Sequence, residues 1–104
     1  DRGIDTVCRN APHLIFAHIP DMQSSYPIDA IIALSYFDIA APSFGIGATW
    51  AGFVMMAVAS AYPPLIEALA VPEGRKIAYG LLFGYPLHAI TAIPRRNPVT
   101  ITWR

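Results

Sequence analysis

Apolar residues in this chain fall in blocks rather than in sustained alternation. The first block, Pro12 to Ile19 (PHLIFAHI), is closed by Pro20. Its shortness and its lack of polar alternation predict a strand buried on both faces. Residues 21–27 (DMQSSYP) are polar and read as a loop, where Ser24 or Ser25 can cap a helix with Pro27 and Asp29 in its first turn. That helix is expected from Ile28 to about Ala41. It is apolar nearly all round, the mark of a core or interface helix. Pro42 should kink or end it, and Gly45-Ile-Gly47 reads as a turn or C-cap. A second helix follows from about Trp50 to Ser60, and a third, Leu65 to Leu69, starts behind Pro63-Pro64. After a turn at Val71–Gly74, Lys76 to Phe83 (KIAYGLLF) predicts a second buried strand, stopped by Gly84-Tyr85-Pro86. Only Val99 to Trp103 alternates apolar and polar, so it predicts a strand covered on one face.

Strand, three helices, strand, loop and strand make an α+β layout with a mixed sheet. Residues 1–104 show no repeat, low-complexity segment or linker, so they read as one unit. The sheet is thin for helices so apolar, and partner strands are expected elsewhere. Composition sharpens this. The 104 residues are 55% hydrophobic and only 13% charged, with a formal net charge of zero. Ordinary soluble domains carry roughly 25% charged residues. Disorder is excluded by the hydrophobicity, and neutrality argues against nucleic acid as a partner. From Ile39 to Ile66 no residue is charged. That raises a membrane span, but Pro42, Gly45, Gly47 and Pro63-Pro64 interrupt the stretch and no Lys/Arg cluster flanks it. The expectation is therefore no membrane, with the small residues Ala48, Ala51, Gly52 and Ala57 serving close helix packing instead. A single cysteine, Cys8, closes no intrachain disulfide and fits a reducing, cytoplasmic compartment. Arg9 beside it could lower its pKa, although a partly buried structural thiol is the plainer role. The polar first residues hold no signal-peptide core, and the absent initiator methionine hints at an excised segment.

Familiar catalytic motifs are missing. There is no P-loop, HExxH, GxSxG or CxxC. His13 and His18, five residues apart on one expected strand, face opposite ways and cannot share a metal. His88 reads as a loop histidine, and Asp29 and Asp38 are too far apart along a helix to form a dyad. Two places remain. Gly45 to Gly52 leads into a helix N-terminus, whose free N–H groups can face an electron-rich ligand. Arg95-Arg96, in a proline-flanked loop, can clamp a phosphate or form a solvated pair.

Taken together, these segments resemble the C-terminal half of the nitroreductase family of flavin oxidoreductases. The resemblance rests on Arg9-Asn-Ala-Pro12 with LIFAHI, Asp29 to Leu34 with Ala40-Ala41, and Phe44-Gly-Ile-Gly47 with Thr49-Trp-Ala-Gly52. It continues in order through LIEALAVPEG (Leu65 to Gly74), Leu82-Phe-Gly-Tyr-Pro86, Ile93-Pro-Arg-Arg-Asn-Pro98 and Thr100-Ile-Thr-Trp103. It implies a three-layer α-β-α fold with a mixed sheet, FMN as cofactor, and a homodimer with flavin between subunits. Thr49, Trp50, Ala51 and Gly52 would lie against the flavin ring, with the N–H of Ala51 or Gly52 near its N5. Arg96, ranked above Arg95, would hold the phosphate. The place where the family often carries a second basic residue holds Ala92. No side chain is implied as catalytic and no metal is implied. Electrons would pass from NAD(P)H or another donor to a nitroaromatic, quinone or similar acceptor. The family's N-terminal half, with its own phosphate-binding motif, has no counterpart here, so the chain is expected to work with that missing half and to be inactive alone. The alternative is a non-enzymatic, homo-oligomeric interaction module without cofactor.

Overall fold

The computed structural model describes residues 3–22 and 26–104. Ser24 and Ser25, the expected helix caps, lie outside them. The elements are β1 (His13–Pro20), α1 (Tyr26–Ala40), a 3-10 turn (Ala41–Phe44), β2 (Gly47–Trp50), α2 (Gly52–Ala59), α3 (Pro63–Leu69) and β3 (Arg75–Gly84). Longest of the strands, β3 lies at the centre of the sheet in the order β1-β3-β2, with both pairings antiparallel. Because side chains alternate across a strand, β3 serves two layers. Phe83 meets Phe37 of α1 edge-on at 5.2 Å, while the neighbouring Leu82 packs with Ala51 and Val54 of the α2 side. Helix α1 thus covers one face and α2 with α3 the other. The α+β, three-layer arrangement expected from the sequence is the one found, although no parallel pair occurs among the described strands.

Three boundaries follow local chemistry as expected. Pro42 stands in the first turn of the 3-10 segment that ends α1, and Gly45 closes it with φ 71°. A left-handed cap of this kind suits glycine. Pro63-Pro64 opens α3, where missing N–H groups cost nothing. Gly74, with φ 76°, turns the chain into β3.

Three expectations need correction. Trp50 does not begin a helix. Residues 47–50 pair as a strand with Gly84 to Leu81, and α2 starts only at Gly52. The Gly45 cap reverses the chain and lays it along the open edge of β3, where ladder bonds and the β-favouring Thr49 and Trp50 outweigh the helical look of an uncharged run. Secondly, β1 is only half-buried, with Ile19 alone fully covered. Only β3 pairs with it, and α1 sets just one apolar face against the sheet. Ala30 and Leu34 are buried, whereas Ile28, Ile32, Tyr36 and Ile39 on the other face are exposed. Thirdly, Val99–Trp103 forms no strand. Everything after Gly84 is exposed and irregular, because β1 and β2 already occupy both sides of β3 and the tail pairs with neither outer edge.

Leu81 is completely buried at the middle of β3. Leu81→Ala should therefore destabilise the protein by about 2–5 kcal/mol, read as a lower urea midpoint. An unchanged midpoint would show that the sheet centre is not the core.

Candidate functional site

The loop before β1 is organised by one carboxylate. Asp5 accepts hydrogen bonds from the backbone N–H groups of Val7 (3.1 Å), Cys8 (2.8 Å) and Asn10 (3.0 Å). These bonds, led by that from Cys8, hold its pKa below the ordinary value of 3.8. The wrap forces Arg9 and Asn10 into left-handed backbone, with φ 52° and 60°. The Arg9 side chain makes no ion pair or hydrogen bond among the described residues, so its guanidinium is uncommitted. Cys8 is half-buried, and burial, with the nearby Asp5 charge, pushes its thiol pKa up from 9.0. Arg9 therefore does not activate this thiol. A structural cysteine is what the fold contains.

Across from this loop, β2 ends and α2 begins. The Ala51 N–H donates to the Gly80 carbonyl at 3.0 Å, and the first bond of the following helix runs from the Met55 N–H to the Ala51 carbonyl at 3.1 Å. The N–H groups of Gly52, Phe53 and Val54 are left without acceptors among the described residues, as at any helix start. Ala51 is therefore removed as a donor candidate, since its N–H is already committed to the sheet. Gly52 remains. A Cβ there would meet only the Tyr79 hydroxyl at 3.7 Å, so Gly52 is not required for internal packing.

Two hollows open between the loop and this corner. The smaller, about 250 Å³, is lined by Arg9, Thr49, Trp50, Gly52 and Phe53, among others. The larger, about 560 Å³, lies between Arg9-Asn10, Ala48-Thr49 and the chain leaving β3 at Tyr85–Leu87. Arg9, Thr49 and Leu82 line both. At the edge of the larger one, Gly84 approaches Pro12 so closely that a Cβ would stand 2.8 Å from the proline ring. Four of the expected residues, Thr49 to Gly52, are thus brought together. Arg95 and Arg96 are not among them. Both lie on the exposed tail and line neither hollow. Arg9, by contrast, lines both hollows, a place that sequence reasoning misses. Its signal is the charge in Arg9-Asn-Ala-Pro12 just before a strand.

The histidines carry no site. His13 stacks on Phe83 at 5.1 Å, and His18 accepts a hydrogen bond from Arg75 Nε. No group of three or more metal-ligating side chains occurs among the described residues. Among them also, no single helix is long and apolar enough to cross a membrane. Helices α2 and α3 pass that test only as a pair bent by 112°.

No protein-family model matches the chain, and neither does any curated protein. Solved structures do. A nitroreductase with bound FMN from Bacteroides fragilis matches with a TM-score of 0.73 and 23% identity, over 92% of this chain and 52% of its own length. The NfrA1 nitroreductase from B. subtilis matches with a TM-score of 0.51 and 29% identity, over 65% of this chain and 26% of its own. A nitroreductase-like protein from Bacillus cereus gives 0.51 and 21%, over 81% and 46%. The chain has the fold of a nitroreductase, over about half the length of the first of these structures.

The Asp5 wrap makes a prediction. Its folded-state pKa is lowered, so its contribution is present above the unfolded pKa and lost as pH falls through the folded value, below 3.8. Asp5→Asn should remove that dependence and loosen the loop at neutral pH. Alkylation of Cys8 at pH 8 should then run faster in the variant, because the loop is looser and because the Asp5 charge that raises the thiol pKa is gone. Equal rates would show that Asp5 does not hold the loop.

Proposed function

We propose that this chain forms the C-terminal half of an FMN-dependent oxidoreductase of nitroreductase type. The observation that carries the reading is the β2–α2 corner. There the N–H groups of Gly52 and Phe53 stand free beside the unpaired Arg9 guanidinium and the apolar side chain of Leu82, within a nitroreductase fold. The donors there are backbone N–H groups, the Arg9 guanidinium and the Thr49 hydroxyl, and the hollow is lined by no carboxylate. It suits an electron-rich ring that gains negative charge on reduction, and the positive end of α2 adds to the same field.

When bound, FMN would supply the redox chemistry, between NAD(P)H or another donor and a nitroaromatic, quinone or similar acceptor. The chain's own residues supply position. Gly52 donates its N–H to the ring edge, Thr49 and Trp50 form the wall leading to it, and the Ala51 bond to Gly80 holds the corner still. Arg96, with Arg95 beside it, binds the phosphate once the tail is seated. The exposed stripe Ile28, Ile32, Tyr36 and Ile39 on α1 supports a homodimer, because helix positions three to four apart form one face and so much exposed apolar surface marks an interface. The remaining wall of the flavin site would come from the N-terminal half and the second subunit.

Protein made from the complete gene should bind FMN, seen as quenched flavin fluorescence and visible absorbance. A colourless protein that ignores added FMN would overturn the reading and leave a homo-oligomeric interaction module. Arg96→Ala should weaken FMN binding roughly tenfold to a hundredfold, the worth of a charge-assisted hydrogen bond. Gly52→Pro removes the donor N–H at a first helical position that tolerates proline. It should lower the flavin's reduction potential while leaving the fold intact by circular dichroism. A second check concerns assembly. Ile32→Arg should convert the dimer to monomer in analytical ultracentrifugation.

A further inference from the structure

Asp38 is the one charged residue between Asp29 and Glu67. It stands in the last turn of α1, where the helix dipole disfavours negative charge. It is half-buried and forms no ion pair among the described residues. Its partner is the indole of Trp50, whose Nε1–H donates to Asp38 Oδ2 at 3.2 Å. The Trp50 ring also meets Tyr79 edge-on, with centroids 5.4 Å apart. The Tyr79 hydroxyl in turn sits 3.7 Å from where a Cβ on Gly52 would be. One continuous line of contacts therefore runs from the end of α1, through the last residue of β2, to a ring of β3 whose hydroxyl lies beside the first residue of α2.

We infer that Asp38 is a positioning residue. By fixing the Trp50 indole it holds the β2–α2 corner, and with it the Gly52 donor, at the angle that ligand binding needs. The inference rests on the proposed flavin role of that corner. Three of the corner's backbone N–H groups, those of Gly52, Phe53 and Val54, have no acceptor among the described residues, so their direction is set by whatever holds Trp50 and Ala51. Ala51 is held by the sheet through Gly80. Trp50 is held from the other face of the sheet, and Asp38 is its polar anchor there. This accounts for a carboxylate at a place where the helix alone disfavours one.

The test uses the complete protein and two readouts. In Asp38→Leu, amide hydrogen exchange at Ala51 should speed up while the β1–β3 ladder amides keep their wild-type rates. FMN affinity should fall about tenfold, the upper scale of one ordinary hydrogen bond. Asp38→Asn keeps an acceptor oxygen and should restore both readouts to within about twofold, since the bond rather than the charge does the holding. Trp50→Phe keeps a ring but not the N–H. It should reproduce Asp38→Leu, and the double variant should be no worse than either single one. Unchanged Ala51 exchange in Asp38→Leu would overturn the inference. So would faster exchange across the whole sheet, which would make Asp38 a matter of general stability, or faster Ala51 exchange with unaltered FMN affinity. If the wild-type protein binds no FMN, the functional reading fails by itself. The local exchange at Ala51, its rescue by Asn and its mimicry by Phe still decide whether Asp38 holds the corner.

Discussion

The hydrogen bond from the Ala51 amide to the Gly80 carbonyl, 3.0 Å long, is the last rung of the β2–β3 ladder, and the Ala51 carbonyl accepts the first bond of α2. One residue thus ends a strand and starts a helix with no loop between. Ala51 can do this because its side chain is a single methyl, buried to 2% exposure against Val54 and Leu82. A larger side chain would push α2 off the sheet. Everything placed at the candidate site inherits its position from this junction. Gly52 follows it, Trp50 precedes it, and the hollow beneath Arg9 has this corner as one wall.

Most elements were legible in the sequence because their signals are local. Prolines bracket β1 and open α3, Gly45 and Gly74 mark turns, and largely apolar runs mark α1 and β3. β2 was not legible, because four residues without charge or alternation say nothing by themselves. Gly47 to Trp50 become a strand only because β3 presents a free edge, and that pairing joins residues far apart in sequence. The tail fails in the converse way. Val99 to Trp103 carries the alternation of a strand, but a strand needs a partner edge, and the tail lies along neither outer edge of this sheet. Local pattern states what a segment could pair as. Topology decides whether it does.

The site divides along the same line. Thr49 to Gly52 could be singled out because glycines before a helix announce free amides, and the nitroreductase resemblance implies a place for them beside a flavin. The choice between Ala51 and Gly52 needed the ladder, since only the pairing shows which N–H is already used. Arg9 lies far from that segment in sequence and is brought to it by the antiparallel return of β3 beside β1. Arg95 and Arg96 follow Gly84 by a stretch with no hydrogen-bonded structure, so their order in sequence gives their identity but not their place.

The unusual composition gains a physical meaning from where its apolar side chains lie. Ile28, Ile32, Tyr36 and Ile39 are exposed along α1, and Tyr85, Leu87, Ile90 and Ile93 along the tail. The larger hollow beside the candidate corner is lined by the chain at the start of that tail, and the tail carries Arg95 and Arg96, to which the proposed reading gives the phosphate. On that reading, covering the apolar surface and completing the site are one requirement. Seating the tail against a second surface would bury its isoleucines and bring Arg95 and Arg96 to a fixed place together. Burial at about 25 cal/mol per Å² would supply the driving force for that step. Two of the chain's few carboxylates are already committed within the described structure, Asp5 to the N–H groups of its loop and Asp38 to the Trp50 indole.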